Sequence, residues 1–268
     1  MATTLRGQGA NFAQARDIRR VRMPASLGAP TSIFYLGGTM AASIRNLAAI
    51  GLTSASPVGS PVLAANYMTF TANSAFLDTL LAETAAGTWW AIARAKSANV
   101  NANADKPVLL GNLGTSPGQS VTGNFGLDLT TNGVPSGQSA PHANLDLLTF
   151  SNTASSGTPV PSAAQHAQID VPDIQAWRLA VGVRNPGVEA RLYDKTLGAT
   201  AAFSLVGKTT TPNTSRSFLI GSDYSGTRLG QCDVAAVGSF PTPFSLEQTD
   251  TLAAFLRAAL GARGLGGF

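Results

Sequence analysis

The sequence predicts an all-β fold: an antiparallel β-sandwich with a C-terminal helix and an N-terminal extended arm. Three observations predict it. From Tyr67 onward, short apolar or alternating runs recur, separated by turn pairs such as Asn132-Gly133, Ser156-Gly157, Pro186-Gly187 and Ser225-Gly226. Many short strands punctuated in this way are the pattern of sandwiches and barrels. At 268 residues, 44% of them apolar, the chain is long enough to bury one large core. Finally, the net charge of +4 is segregated. Residues 1–24 hold Arg6, Arg16, Arg19, Arg20 and Arg22 against Asp17, whereas basic and acidic side chains balance over residues 25–268.

Residues 1–30 are therefore read as a basic anchoring arm and residues 31–268 as the sandwich. The arm has only a thin apolar stripe (Phe12, Ile18, Val21), which suits an extended segment that orders on a partner. Residues 25–66 mix apolar runs such as Ile33-Phe34-Tyr35-Leu36 with Gly-Gly and Ser-Pro turns; Ala41–Ile50 is read as a helical turn or two, or as irregular. The predicted strands are Tyr67–Thr71, Ala75–Leu81, Thr88–Ala95, Pro107–Gly111, Val121–Leu129, Leu145–Ser151, Trp177–Arg184, Val188–Asp194, Ala201–Val206, Ser217–Gly221 and Cys232–Gly238. Polar segments at Ala98–Lys106, Thr115–Ser120, Thr130–Ala143 and Asn152–Pro172 are read as loops, either functional or disordered.

One hairpin can be read in register. With a two-residue loop at Pro186-Gly187, Val183 faces Ala190 and Val181 faces Leu192 on an inward side, and Arg184 pairs with Glu189 on the other. Pro-Gly favours a type II turn, whereas tight hairpins prefer the primed turns, so the turn type stays open. On this reading Trp177 points inward, and Trp89-Trp90 places one ring on each face. At the end of the chain, Ser245 and Gln248 form a capping box, Leu252, Phe255, Leu256 and Leu260 form an apolar stripe, and Gly261 can take the left-handed cap.

The same residues exclude several chemistries. Cys232 is the single cysteine, so an intrachain disulfide and a cysteine-based zinc site are ruled out. His142 and His166 are the two histidines, both read as solvated loop residues, and no Ser-His-Asp arrangement is evident. Glu83, Glu189 and Glu247 do not make the closely spaced carboxylate pair that glycoside hydrolysis needs. Asp128 and Asp146, each flanked by leucines, read as solvent-facing strand positions. Asp105, Asp223 and Asp233 are loop or strand-end carboxylates that could serve a rim calcium, but no clustered pair is evident. The glycine-rich pieces Gly37-Gly38 and Gly261–Gly267 are not followed by Gly-Lys-Ser/Thr and make no phosphate loop, and no cofactor is implied. No run of 18 apolar residues exists and the start lacks an apolar h-region, so neither a membrane span nor a Sec-type export signal is expected.

The order of motifs carries a resemblance. Trp177-x-Leu-x-Val-x-Val, a turn, and Val188-x-Ala-x-Leu-Tyr-Asp are followed by Phe218-Leu219-Ile220-Gly221, then Gly230-Gln231-Cys232-Asp233-Val234, then Phe244-Ser245-Leu246-Glu247-Gln248. With Asn66–Thr71 and Thr88–Ala95 upstream, this resembles the concanavalin A-like, laminin-G-like jelly roll over roughly residues 45–260. Such domains occur in secreted lectins, in glycoside hydrolases and in bacteriophage virion proteins.

The resemblance, with the missing export signal and the segregated charge, implies a non-enzymatic virion component: a capsid decoration, tail or fibre protein. Its arm would dock on other virion proteins, its sandwich would contact a host glycan, and it would assemble as a homo-oligomer, with a trimer as the family-level expectation. The alternatives are a stand-alone lectin and a glycoside hydrolase. Sugar binding needs an exposed aromatic ring with hydrogen-bonding neighbours, which singles out Tyr193 beside Arg191 and Tyr224 beside Asp223; the plain alternative is an amphipathic tyrosine on a sheet surface. Arg6, Arg16, Arg19, Arg20 and Arg22 are the anchoring candidates. A short arm without interleaved aromatics, on a neutral body, argues for protein docking over nucleic acid.

Overall fold

The computed structural model describes residues 21–49, 52–98, 102–115, 124–125, 127–132, 144–149, 152–153, 165–210, 212, 214 and 216–268. Arg6, Arg16, Arg19, Arg20 and His142 lie outside the described residues. In chain order the first strands are β1 (Ser32–Tyr35), β2 (Ser56–Val58), β3 (Val62–Leu63), β4 (Met68–Thr71), β5 (Phe76–Ala82), β6 (Gly87–Ala95) and β7 (Val108–Gly111). Next come β8 (Gly114–Thr115), β9 (Asn124–Phe125), β10 (Leu127–Asn132), β11 (Asn144–Thr149), β12 (Asn152–Thr153) and β13 (Gln165–Asp170). The last are β14 (Arg178–Asn185), β15 (Glu189–Asp194), β16 (Ala199–Ser204), β17 (Lys208–Thr209), β18 (Ser217–Ile220) and β19 (Gln231–Phe240). Helix α1 is the short Met40–Ser43, and α2 is Leu246–Gly261.

Two antiparallel sheets make the sandwich. The large sheet runs β16-β15-β14-β6-β19-β4-β3, with β1 also paired to β19. The small sheet runs β13-β11-β10-β7-β18-β5-β2. One apolar cluster fills the space between them, including Phe70, Trp89, Leu110, Leu129, Leu147 and Leu192. A second cluster lies on the opposite, outer face of the large sheet, where Trp90, Ile92, Leu179, Val181 and Val183 meet Leu27 and the α2 residues Leu252, Leu256 and Leu260. Three layers result: small sheet, large sheet, helix. Central strands of the large sheet are therefore apolar on both faces, which is why Gly87–Ala95 reads as a run rather than an alternation.

Helix α2 starts as its sequence dictates. The Ser245 N–H donates to Gln248 Oε1 (3.0 Å) and the Gln248 N–H to Ser245 Oγ (3.3 Å), the two arms of a capping box. Leu252, Leu256 and Leu260 are fully buried, each contributing roughly 1.5–3 kcal/mol. The left-handed residue after the helix is Gly264 (φ 76°), not Gly261; the chain continues helically to Ala262, and the Leu265 N–H closes the end on the Leu260 carbonyl (3.2 Å).

The predicted hairpin is present with its register moved by one residue. Val183 faces Arg191, Val181 faces Tyr193, and Asn185 faces Glu189. The loop is Pro186-Gly187-Val188. The Val188 N–H bonds the Asn185 carbonyl (3.1 Å), and Gly187 has φ 73°, as position i+2 of a type II turn requires. Val188 lies in this loop, 51% exposed, instead of in the strand. The faces of β14 are also exchanged relative to expectation, whereas β15 keeps Ala190 and Leu192 inward as expected. The Leu179–Val181–Val183 side is the outer face under the helix, and the side between the sheets carries Ala180, Gly182, Ala190 and Leu192. A Cβ on Gly182 would stand 3.0 Å from Leu147 Cδ1 and 3.2 Å from Leu129 Cδ2, so the bare backbone lets the small sheet approach.

Arg184 consequently points inward and its partner is Glu83, not Glu189. It also donates to the Ala85 carbonyl (2.9 Å), the Thr84 carbonyl (2.5 Å) and Thr149 Oγ1 (3.2 Å), and lies over the Trp89 ring. Asn112 Nδ2 donates to the second Glu83 oxygen (2.9 Å). At the other end of the strand, buried Arg178 pairs with buried Asp194 at 2.8 Å. Two more expectations shift. Gln165–Asp170 is strand β13 rather than loop, with Ala167 and Ile169 on its inward side. Asp146 is buried, not solvent-facing; its Oδ2 lies 2.8 Å from Nδ1 of His166, which stands on β13.

Candidate functional site

The outer face of the large sheet is wider than α2, and one uncovered end forms a groove. The hairpin supplies Glu189, Arg191 and Tyr193 to this face, β16 adds Thr200 opposite Tyr193, and the segment Pro243–Gln248 with the start of α2 forms the far wall. Its volume is about 530 Å³, room for a small oligosaccharide unit. By contrast, a cavity of about 20 Å³ near Trp89 and Phe218 holds no more than a water.

The groove is polar on one side. Arg191 Nε and Nη2 donate to the two Glu189 oxygens, both at 2.7 Å, a bidentate pair about a third exposed. The hydrogen bond from Arg191, aided by its charge and opposed by burial, holds the Glu189 carboxyl below its ordinary range, and the same bond raises Arg191. Among the described residues, nothing accepts from Arg191 Nη1. The pair is neutral overall, and sets donors and acceptors side by side as vicinal hydroxyls require. Tyr193 is not the exposed ring the sequence suggests: it is 6% exposed, packed in the apolar cluster on this outer face, and borders the groove from there, with Lys195 Nζ 5.4 Å from its ring centroid; burial raises its phenol. Thr200 is exposed and donates to the Leu192 carbonyl (3.0 Å).

The second predicted pair stands elsewhere, in the loop after β18 of the small sheet. Asp223 is 1% exposed, and its oxygens accept from the Ser225 N–H (2.9 Å), Ser225 Oγ (2.7 Å) and Arg228 Nη1 (3.0 Å). They shape their own loop. Tyr224 is half-buried, its ring under the Arg216 guanidinium (4.7 Å) and its hydroxyl 3.2 Å from Ser217 Oγ; burial is the main cause of its raised phenol. The structure thus gathers Arg191 and Tyr193 and keeps Asp223 and Tyr224 apart from them. Arg22 is exposed, beside a Val21 N–H that bonds the Leu47 carbonyl (2.7 Å). Among the described residues no group of three or more His, Cys, Asp or Glu side chains is placed to hold a metal. Asp233 accepts from Thr69 and pairs with Arg94 and Lys96.

Glu189, Thr200 and Ser245–Gln248 were not expected at a site. The cross-strand place of Thr200 follows from the turn at Gly198 (φ 71°), but the wall made by α2 depends on the helix lying on the sheet's face, which no local pattern announces.

No protein-family model matches this chain, and no curated protein matches it. Solved structures do. The botulinum neurotoxin serotype D binding domain aligns with TM-score 0.53 and 11% identity, over 85% of this chain and 52% of that one. The serotype D ligand-binding domain in complex with N-acetylneuraminic acid gives 0.54 and 11%, again over 85% and 52%. The binding domain of botulinum neurotoxin DC in complex with SialylT gives 0.55 and 9%, over 86% and 52%. The chain spans about half the length of these domains. At such identities the likeness is one of fold: two antiparallel sheets packed as a β-sandwich and one C-terminal helix, as in these receptor-binding domains.

Proposed function

We propose that this chain is a non-catalytic, lectin-like module of the laminin-G-like, concanavalin A-like kind, and that the groove beside Arg191 and Tyr193 is its carbohydrate site. The observation that carries this is the groove itself: a fixed Arg191–Glu189 pair, the Tyr193 edge and the Thr200 hydroxyl converge on an open volume of about 530 Å³. Support from fold comes from binding domains solved with N-acetylneuraminic acid and SialylT. The pair's neutrality favours sugar hydroxyls over a charged group in this groove.

The finer reading is a bacteriophage virion component, a capsid decoration, tail or fibre protein. Its basic arm would dock on other virion proteins, its sandwich would meet a host glycan, and its copies would associate, a trimer being the working number. The segregation of five arginines into residues 1–24 supports docking by that segment.

A glycan array probed with the full chain tests the first reading. Binding should fall about tenfold or more in Arg191→Ala, a loss of about 1.4 kcal/mol. Reducing ends released from a bound polysaccharide, or array binding unchanged by that substitution, would overturn it. Removal of residues 1–24 should leave a folded sandwich that fails to join particles, and normal incorporation would contradict docking.

A further inference from the structure

A second patch occupies the other uncovered end of the same outer face. Thr69, Asp233 and Arg94 lie in one transverse row, because Asp233 pairs in register with both Thr69 on β4 and Arg94 on β6. The pairing of β14 with β6 sets Arg178 against Ala93, so continuing the register places Trp177 opposite Arg94. Side chains alternate across a strand, so Tyr67, two residues before Thr69, and Lys96, two after Arg94, share this side. The rings follow that arithmetic. Tyr67 and Trp177 meet edge to face with centroids 5.5 Å apart, and the Arg94 guanidinium lies 4.8 Å from the Trp177 centroid and 5.6 Å from that of Tyr67.

Asp233 fixes the cation from below. It is fully buried and accepts from Arg94 Nε (2.9 Å) and Thr69 Oγ1 (2.6 Å), with Arg94 Nη2 at 2.9 Å and Lys96 Nζ at 3.6 Å. Among the described residues nothing accepts from Arg94 Nη1, from the Trp177 indole N–H or from the Tyr67 hydroxyl. Two cations against one buried carboxylate leave a charge of +1, with Arg94 31% and Lys96 46% exposed. The guanidinium is held flat between its carboxylate and two half-buried rings, so an incoming acceptor does not have to order it.

We infer that Tyr67, Arg94, Lys96 and Trp177 form a second site that takes a carboxylated sugar, its ring face on Trp177 and its carboxylate on Arg94 Nη1 and Lys96 Nζ. This rests on the reading of the chain as a glycan binder but not on the groove, which is neutral where this patch is positive. A carboxylate gains from both cations, and a neutral sugar has only the rings.

Calorimetric titration of the full chain with sialyllactose, with lactose as the neutral comparator and sodium acetate as the bare carboxylate, tests it. Sialyllactose should bind about tenfold tighter than lactose, and acetate far more weakly than either. Raising the salt from about 0.05 to 0.5 M should weaken sialyllactose binding, because both cations are partly exposed. Lys96→Gln, which keeps the Arg94–Asp233 pair, should lose several-fold of the affinity for sialyllactose, and Trp177→Ala about tenfold, with Trp177→Phe restoring part. In Arg191→Ala the salt-sensitive preference for sialyllactose over lactose should persist. Equal affinity for sialyllactose and lactose, or sialyllactose binding that is lost in Arg191→Ala yet untouched by Lys96→Gln and Trp177→Phe, would overturn the second site. Neutral-sugar binding that survives Arg191→Ala would count against the groove alone.

Discussion

The two faces of the large sheet treat charge in opposite ways. Between the sheets, each ionic side chain brought in by β14 is buried against a buried partner: Arg178 with Asp194, and Arg184 with Glu83 under the Trp89 ring. On the outer face, Arg191 with Glu189, and Arg94, are about a third exposed, with donor atoms left over on Arg191 and Arg94. A charge with every valence used inside a core specifies packing, whereas one held rigid at a rim is available to a ligand. The same residue type therefore reads as structure on one side of a sheet and as recognition on the other.

The largest expected effect breaks the inner side. Arg184→Met would leave the Glu83 carboxylate buried without its cation, costing about 3–5 kcal/mol, whereas Arg191→Met on the rim should cost less than about 1 kcal/mol. Urea denaturation of both variants measures the contrast, and equal losses would erase it. Next, Leu256→Ala removes packing between helix and sheet and should cost about 2–5 kcal/mol. That loss should come with weaker sugar binding, since α2 walls the groove. Ser245→Ala deletes the cap at the groove's edge and should cost about 1 kcal/mol, read from the same denaturation curves.

The smallest effect is a pH dependence. Because Arg191 holds the Glu189 carboxyl below its ordinary value, the pair contributes above the usual carboxylate range and is lost as pH falls through the lowered folded value. Groove binding should persist in mild acid and fade only below the pH at which free glutamate titrates. Carbon-13 shifts of the Glu189 carboxyl would follow this, and titration at the ordinary value would contradict the bidentate pair.

Much of this architecture is legible in the sequence, and the exceptions have physical causes. The capping box of α2 is local, so Ser245 and Gln248 announce it directly. The strands of the hairpin are equally plain, yet their register depends on loop length, and Pro186-Gly187 makes a type II turn that takes Val188 with it. One residue of slip exchanges the faces of β14 alone, so Arg184 points inward to Glu83 instead of pairing with Glu189, and Trp177 lies on the outer face instead of between the sheets. In β13 the inward alternation consists of Ala167 and Ile169, too little apolar surface to stand out from its polar flanks. The groove and the Arg94 patch both depend on how far α2 covers the outer face, a tertiary fact with no local signature. Of the groove, Arg191 and Tyr193 were readable as an aromatic with a basic neighbour; Thr200 and the helix wall were not.

The central claim is that the groove at the end of the outer face is where sugar binds. Titrating ¹⁵N-labelled full-length chain with the neutral oligosaccharide that scores highest on the array tests this most directly, by mapping amide shifts. The account predicts that the largest shifts fall at Arg191, Tyr193, Thr200 and Ser245. Shifts confined to the Asp223–Tyr224 loop or to the small sheet, or no shifts at all, would contradict it.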